Sequence, residues 1–298
     1  EGEIMEFSGA SVDALLDGAG LAPRFRTEAA HDAVGEISTA SSAELQPYVM
    51  RNQPVVLRGA LLDWQPVLLW GDDDYLRSAG HGSCVPVRRA EERPAAFGDP
   101  KRDGVYCVAE VDWSEFVQSL GAAAQTRSSP PYYAAQLRLR TVLPALFRDT
   151  RPPPEPLTAL GAPWRNAPSA YIGAGSRTPL HFDLLENLLC VVCGQKHVRL
   201  WHPVHGALLY PGGGGEALFS KVDPTHFDPA EFPGFDTAAR LGHDVELGPG
   251  DALYLPCGWW HAVSADTSQR NISVSYWAQQ PDAKVWKRAD EEVERDLF

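Results

Sequence analysis

With 298 residues, 44% of them hydrophobic and 22% charged, the composition is that of a globular chain and excludes a disordered or fibrous protein. Its 26 Lys and Arg against 39 Asp and Glu give a formal charge of −13, which disfavours nucleic acid as a partner because phosphates need clustered cations. The longest purely apolar run, Leu188–Cys193, has six residues, far below the roughly 20 that a membrane span needs.

The opening EGEIMEF lacks the basic start and apolar run of a signal peptide. Five scattered cysteines (Cys84, Cys107, Cys190, Cys193 and Cys257) suit a reducing compartment rather than a disulfide framework. An intracellular location, cytoplasmic or nuclear, is the expectation. The acidity has two explanations at this stage, plain solubility or an acidic face for basic substrates.

In chain order, residues 1–50 read as helical and peripheral. Ser41-x-x-Glu44 is a capping-box pattern, opening a helix that stops near Asn52 and Pro54. Val55–Leu57 reads as a short buried strand. Asp72, Asp73 and Asp74 suit the positive end of a helix dipole, and Asp112–Leu120 has the pattern of a short amphipathic helix. Ser128–Pro131 is a break before a strand at Tyr132–Gln136. The run from Arg151 to Pro156, with four prolines, can be neither regular helix nor central strand and reads as a connector.

From about residue 167 short apolar or aromatic runs follow one another: Ala170–Gly173, Pro179–Asp183, Asn187–Cys193, Lys196–Trp201, Ala252–Pro256 and Asn271–Trp277. Gly or Pro turns bound most of them, which is the pattern of an antiparallel sandwich or barrel. Cys193-Gly194-Gln195-Lys196 reads as the tight turn of a hairpin. Gly212–Gly215 lacks the Lys-Ser/Thr ending of a phosphate loop. In the tail Lys284–Phe298, Val285, Trp286, Val293 and Leu297 share a helical spacing, which suits packing on the chain's own barrel or a homodimer contact.

The chemistry centres on Thr178-Pro-Leu-His181-Phe-Asp183. Residues i and i+2 of a strand share a face, so His181 and Asp183 can reach one metal ion together. His261, after Gly258-Trp259-Trp260, is the candidate third ligand. Two His and one carboxylate with open positions is the arrangement of non-haem Fe(II) oxygenases. The tripeptide alone decides little, because nine histidines give roughly one His-x-Asp/Glu by chance. His226-Phe227-Asp228 repeats it letter for letter, but Pro229 and Pro233 follow and no strand pattern surrounds it, so it reads as a surface loop.

The surroundings favour the first copy. Lys196, across the Gly194 turn, can point a charge at a carboxylate, though a solvated hairpin lysine fits the position as well. Asn187 sits inside an apolar run, where a buried amide needs a partner. Of Trp259 and Trp260, one is expected in the core and one near the pocket. Cys190 and Cys193 are spaced like a metal pair but should face opposite sides of a strand.

Taken together, Thr178-x-x-His181-x-Asp183, Asn187, Gly194-x-Lys196, Leu200-x-x-Pro203 and Trp259-Trp260-His261 resemble the JmjC (cupin-like) family of Fe(II)- and 2-oxoglutarate-dependent oxygenases. The small JmjC-only protein hydroxylases are the nearest branch. Tyr133-Ala-Ala-Gln136, Ser220-Lys-Val-Asp223 and Ile272–Trp277 extend the likeness over roughly residues 45–280.

The resemblance implies a mainly β fold: a double-stranded β-helix (jelly-roll, cupin) core at 167–280. An N-terminal helical and strand region, 1–166, would extend the barrel, and a C-terminal helix would occupy 281–298. It implies His181, Asp183 and His261 as iron ligands and Lys196 as partner of the distal 2-oxoglutarate carboxylate. Thr178, Tyr133 and Asn187 would hydrogen-bond the cosubstrate, and Ser275 would line the pocket. It further implies O2 as co-reactant and a protein side chain, Arg or Lys favoured, as the hydroxylated substrate. Demethylation of an N-methyl group, hydroxylation of a small molecule or tRNA, and a non-catalytic metal-binding module are the alternatives. The stretch Phe182-Asp-Leu-Leu-Glu186 departs from the Gln-rich segment usual there and leaves the substrate open.

Overall fold

A computed structural model of the chain describes residues 34–38, 41–90, 106–126, 132–160, 168–212, 218–266 and 269–278. The helical expectation for residues 1–33, the boundary at 166/167 and the tail helix at 281–298 lie outside the described residues.

In the first half, strands β1 (Gly35–Ile37), β2 (Val55–Leu57), β3 (Cys84–Ala90), β4 (Tyr106–Asp112) and β5 (Tyr132–Arg138) alternate with helices. β1 corrects the reading of residues 1–50 as helical; its three residues pair in parallel with β2, a long-range contact that local pattern does not reveal. The helix Ser42–Arg51 follows as expected, with the Ser41 hydroxyl accepting from Ala43 N and Asn52 closing it in the left-handed conformation. Asp72 caps Asp73–Ala79 by accepting from Asp74 N and Tyr75 N, and Trp113–Thr126 is the second amphipathic helix. The proline run stays irregular until a 3-10 turn begins at Glu155.

The second half supplies β6 (Ser169–Gly173), β7 (Arg177–His181), β8 (Glu186–Cys193), β9 (Lys196–Trp201), β10 (His243–Leu247), β11 (Ala252–Leu255), β12 (Trp260–Ala265) and β13 (Asn271–Ala278). Two sheets result. The larger runs β1-β2-β11-β8-β13-β6-β5-β3-β4 and the smaller β10-β9-β12-β7. From β7 to β13 the chain passes back and forth between them, which is a jelly roll.

Gly194 therefore does not turn a hairpin, as the sequence suggested. It carries the chain from β8 in the large sheet to β9 in the small one. Its φ is 73°, and a Cβ there would lie 2.2 Å from the Arg270 carbonyl oxygen, so only glycine fits the crossover.

Side-chain alternation sorts the core into layers. On β8, Leu188, Cys190 and Val192 face the helices, packing with Trp70, Trp113 and Tyr254. Leu189 and Val191 face inward against Val198, Leu200, Leu253 and Leu255, filling the space between the sheets. Behind the small sheet Leu180, Phe182, Trp201 and Trp260 form a third layer, covered by the Phe235–Leu241 helix and its approach. A fully buried side chain of this size contributes about 1.5–3 kcal/mol. Cys84, Cys190, Cys193 and Cys257 are free thiols.

Candidate active site

At one end of the inter-sheet space the apolar filling gives way to a polar cavity. Its large-sheet wall includes Asn187, Ser273, Ser275 and Trp277, and its small-sheet wall includes Thr178, His181, Lys196 and His261.

His181 closes β7, and Asp183 lies beyond the strand end. Strand alternation therefore does not bring these two together, contrary to the sequence argument. Asp183 is instead placed by its own carbonyl, which accepts from Gly258 N at 2.8 Å and so ties the turn to the segment leading into His261. Gly258, at φ 83°, adopts the left-handed conformation that glycine takes without penalty.

His261 lies opposite His181 in the β7–β12 ladder, with ring centroids 4.1 Å apart. Nε2 of His181 is 3.9 Å from Asp183 Oδ1, and Nε2 of His261 is 3.6 Å from Oδ2. Each ring is held from behind by a main-chain carbonyl two residues upstream. Nδ1 of His181 lies 2.8 Å from the Pro179 oxygen and Nδ1 of His261 lies 3.0 Å from that of Trp259. Donation from Nδ1–H leaves both Nε2 lone pairs turned toward Asp183.

Burial lowers the His261 pKa well below its ordinary value, and the nearby His181 adds to the effect, so this imidazole is neutral. Burial raises the Asp183 pKa, partly offset by His181. Its Oδ2 is shielded from solvent without a hydrogen-bond partner, an arrangement that is costly unless something else satisfies it. The three ligand atoms lie within 4.8 Å of one another, a group that could hold a metal ion. Donor set, tautomers and the orphaned carboxylate oxygen all fit a divalent cation.

The same ladder carries an irregularity that sequence periodicity could not show. His261 and Val263 stand opposite His181 and Thr178, so three residues of β7 span two of β12. The extra residue shifts the phase of the strand. Thr178 and His181 would face opposite sides of a regular strand, yet both line the cavity.

Lys196 opens β9 and is only 5% exposed, which removes the solvated-hairpin reading. It makes no hydrogen bond or ion pair with any described residue, and burial pushes its pKa down to about 8. Asn187 is buried on β8 with its Oδ1 unpartnered. Tyr133, on β5, is buried and bonded to Ser176, and desolvation pushes its pKa up to about 12. Ser275 is buried on β13.

All eight residues singled out in the sequence thus line one cavity. Arg88, Gln136, Tyr171 and Trp277 line it too and had been given no role. Gln136 and Trp277 stood within recognised motifs. Arg88 follows the alternation of buried Val85 and Val87, a strand signal that the sequence carries. Neither Trp259 nor Trp260 reaches the cavity: Trp259 packs between the sheets, its Nε1 donating to the Asn52 carbonyl at 2.8 Å, and Trp260 packs behind the small sheet. The repeated tripeptide is far away in kind. The His226 side chain is 82% exposed, and Asp228 merely accepts from Ala230 N in a turn.

A jelly roll holding a His-Asp-His cluster and a buried lysine in one cavity defines the cupin class of metal-site proteins. Residues 40–284 match the Cupin-like domain family, and the chain belongs to it. Among similar proteins, Lysine-specific demethylase JMJ30 of Arabidopsis thaliana is 30% identical over 78% of this chain and 51% of its own length. Jumonji C domain-containing protein 5 of Drosophila melanogaster is 28% identical over 76% and 54%. Human HSPB1-associated protein 1 is 33% identical over 82% and 51%. Family and relatives place the chain in the JmjC group of Fe(II)- and 2-oxoglutarate-dependent oxygenases. The chain spans about half the length of these curated relatives. Among the described residues no helix is long and apolar enough to cross a membrane.

Proposed function

We propose that this chain is an oxygenase that hydroxylates a substrate C–H bond while 2-oxoglutarate is decarboxylated to succinate. The observation that carries the reading is the pairing of the His181–Asp183–His261 cluster with a buried Lys196, unpaired among the described residues, in the same cavity. Bound Fe(II) with 2-oxoglutarate supplies the oxidation of the C–H bond by O2.

The chain's own residues supply placement. His181, Asp183 and His261 would hold the metal on one side and leave its other positions to the cavity. Lys196 would meet the far carboxylate of 2-oxoglutarate as a point charge. A buried ion pair repays its desolvation only when its remaining polar atoms are satisfied. Thr178, Tyr133 and Asn187 would provide those bonds, and Ser275 would shape the wall. The orphaned Asn187 Oδ1 supports this, since a buried amide without a partner costs stability that a ligand would restore.

A protein substrate and N-demethylation are supported by the relatives named lysine-specific demethylases. Hydroxylation of an N-methyl group is the same C–H chemistry, followed by loss of formaldehyde. The expected preference for Arg or Lys finds no support in the cavity wall, where Asp183 is the sole carboxylate among the described lining residues. The test is succinate formation from 2-oxoglutarate, with and without Fe(II), by the wild type and by His181→Ala. Fe(II)-dependent succinate lost in the variant is expected; metal binding without any turnover across peptide and small-molecule candidates would favour a non-catalytic module.

A further inference from the structure

We infer that Arg88 makes the substrate end of this cavity a receptor for an anion, so that the group recognised beside the reacting carbon is a carboxylate. This rests on the oxygenase reading above and specifies its substrate class.

Arg88 lies on β3 of the large sheet, directly opposite Tyr133 of β5. It is half-buried at the cavity wall and makes no hydrogen bond or ion pair with any described residue. Its charge is felt by the phenols of Tyr133 and Tyr171, and Tyr171 also feels Asp183. Arg88 reaches the cavity from the large sheet and Lys196 from the small one.

A charge count then specifies the missing partner. The metal dication and Lys196 are balanced by Asp183 and the two carboxylates of 2-oxoglutarate. Among the described residues Arg88 is left with no counter-charge, and a single anionic group neutralises it. A cationic side chain in the same place would meet a guanidinium and find no free carboxylate among the described lining residues, an arrangement that costs rather than contributes. The guanidinium fork binds a carboxylate bidentately. Gln136 strengthens the placement. It sits at φ 52° where the β5–β6 register shifts, and its side chain is bonded to Tyr171, so a neutral donor-acceptor lines the same cavity as the cation. A chain of net charge −13 repels polyanions at long range, so the anion is a single carboxylate, from an acidic side chain or from a small free acid.

The experiment uses the full chain loaded with Mn(II) and saturating 2-oxoglutarate under argon, with binding read by calorimetry. One arm uses blocked pentapeptides with central Glu, Gln or Lys. The other uses short aliphatic monocarboxylic acids, each paired with its amide. Carboxylates should bind at least roughly tenfold more tightly than their amides and than the Lys peptide. Whichever arm shows this names the source. Arg88→Gln should abolish the difference, Arg88→Lys should keep part of it, and Arg88→Glu should turn the preference toward the Lys peptide, all with unchanged Mn(II) and 2-oxoglutarate affinity. Equal binding of acid and amide by a wild type that holds Mn(II) and 2-oxoglutarate overturns the role of Arg88 alone. Weakened 2-oxoglutarate binding in Arg88→Gln overturns it too, by placing Arg88 at the cosubstrate. A wild type that binds neither Mn(II) nor 2-oxoglutarate overturns the oxygenase reading and this proposal together.

Discussion

The chain contains His-Phe-Asp twice, at 181–183 and 226–228, and the two copies share nothing but their letters. In the first, His181 ends a strand, its Nδ1 faces the Pro179 carbonyl, Phe182 is fully buried against Trp260 at 4.7 Å, and Asp183 turns back toward two imidazoles. In the second, His226 projects into solvent beside Asp223, Phe227 packs edge-on against Phe235, and Asp228 closes a turn. A tripeptide becomes a candidate metal site only when a third group arrives from elsewhere in the chain. Here His261 comes from 80 positions away by strand pairing across the small sheet.

That contrast can be broken by substitution. The largest expected effect is His181→Ala, which should reduce succinate formation to background while His226→Ala leaves it unchanged; equal losses in both would abolish the distinction drawn between the copies. The central aromatics should differ in stability instead. Phe182→Ala empties a packed site between Leu180, Trp201 and Trp260 and should cost about 3–5 kcal/mol in denaturant unfolding. Phe227→Ala should cost clearly less, its ring being only partly buried.

Lys196→Ala should raise the 2-oxoglutarate KM about 10- to 100-fold with metal affinity retained, since a charge-assisted contact is lost. Unchanged cosubstrate dependence would remove Lys196 from the pocket. The same residue sets a pH dependence. Below pH about 8 the free protein already carries the ammonium. Above it, binding a dianion must first draw a proton from solvent, so affinity should be flat below pH 8 and weaken above it, toward about tenfold per unit. Calorimetry in buffers of different ionisation enthalpy should show proton uptake only on the alkaline side. The smallest effect is His226→Ala itself, within about 0.5 kcal/mol on stability.

Much of the second half was legible because its strands are short, apolar and bounded by Gly or Pro, and β9 matches its expected span residue for residue. Misreadings arose where partners are distant. β1 is three residues long and exists by pairing with β2. The Gly194 turn looks like a hairpin because local sequence cannot say which sheet the next strand joins. The His181–Asp183 pair was expected on a strand face, but Asp183 is held by a main-chain bond from Gly258 instead.

The sequence by itself determined the element types, the candidate ligands and lysine, and the family they resemble, because residue chemistry and spacing are written in it directly. Tertiary structure alone decided which His-Phe-Asp meets a third histidine and that a bulge turns Thr178 inward. It also showed that Lys196 is buried without a partner among the described residues and that Arg88 lines the same cavity. The physical reason is common to all four. Convergence and burial depend on strand register and on which sheet a strand joins, and those are fixed by contacts between residues far apart in the chain.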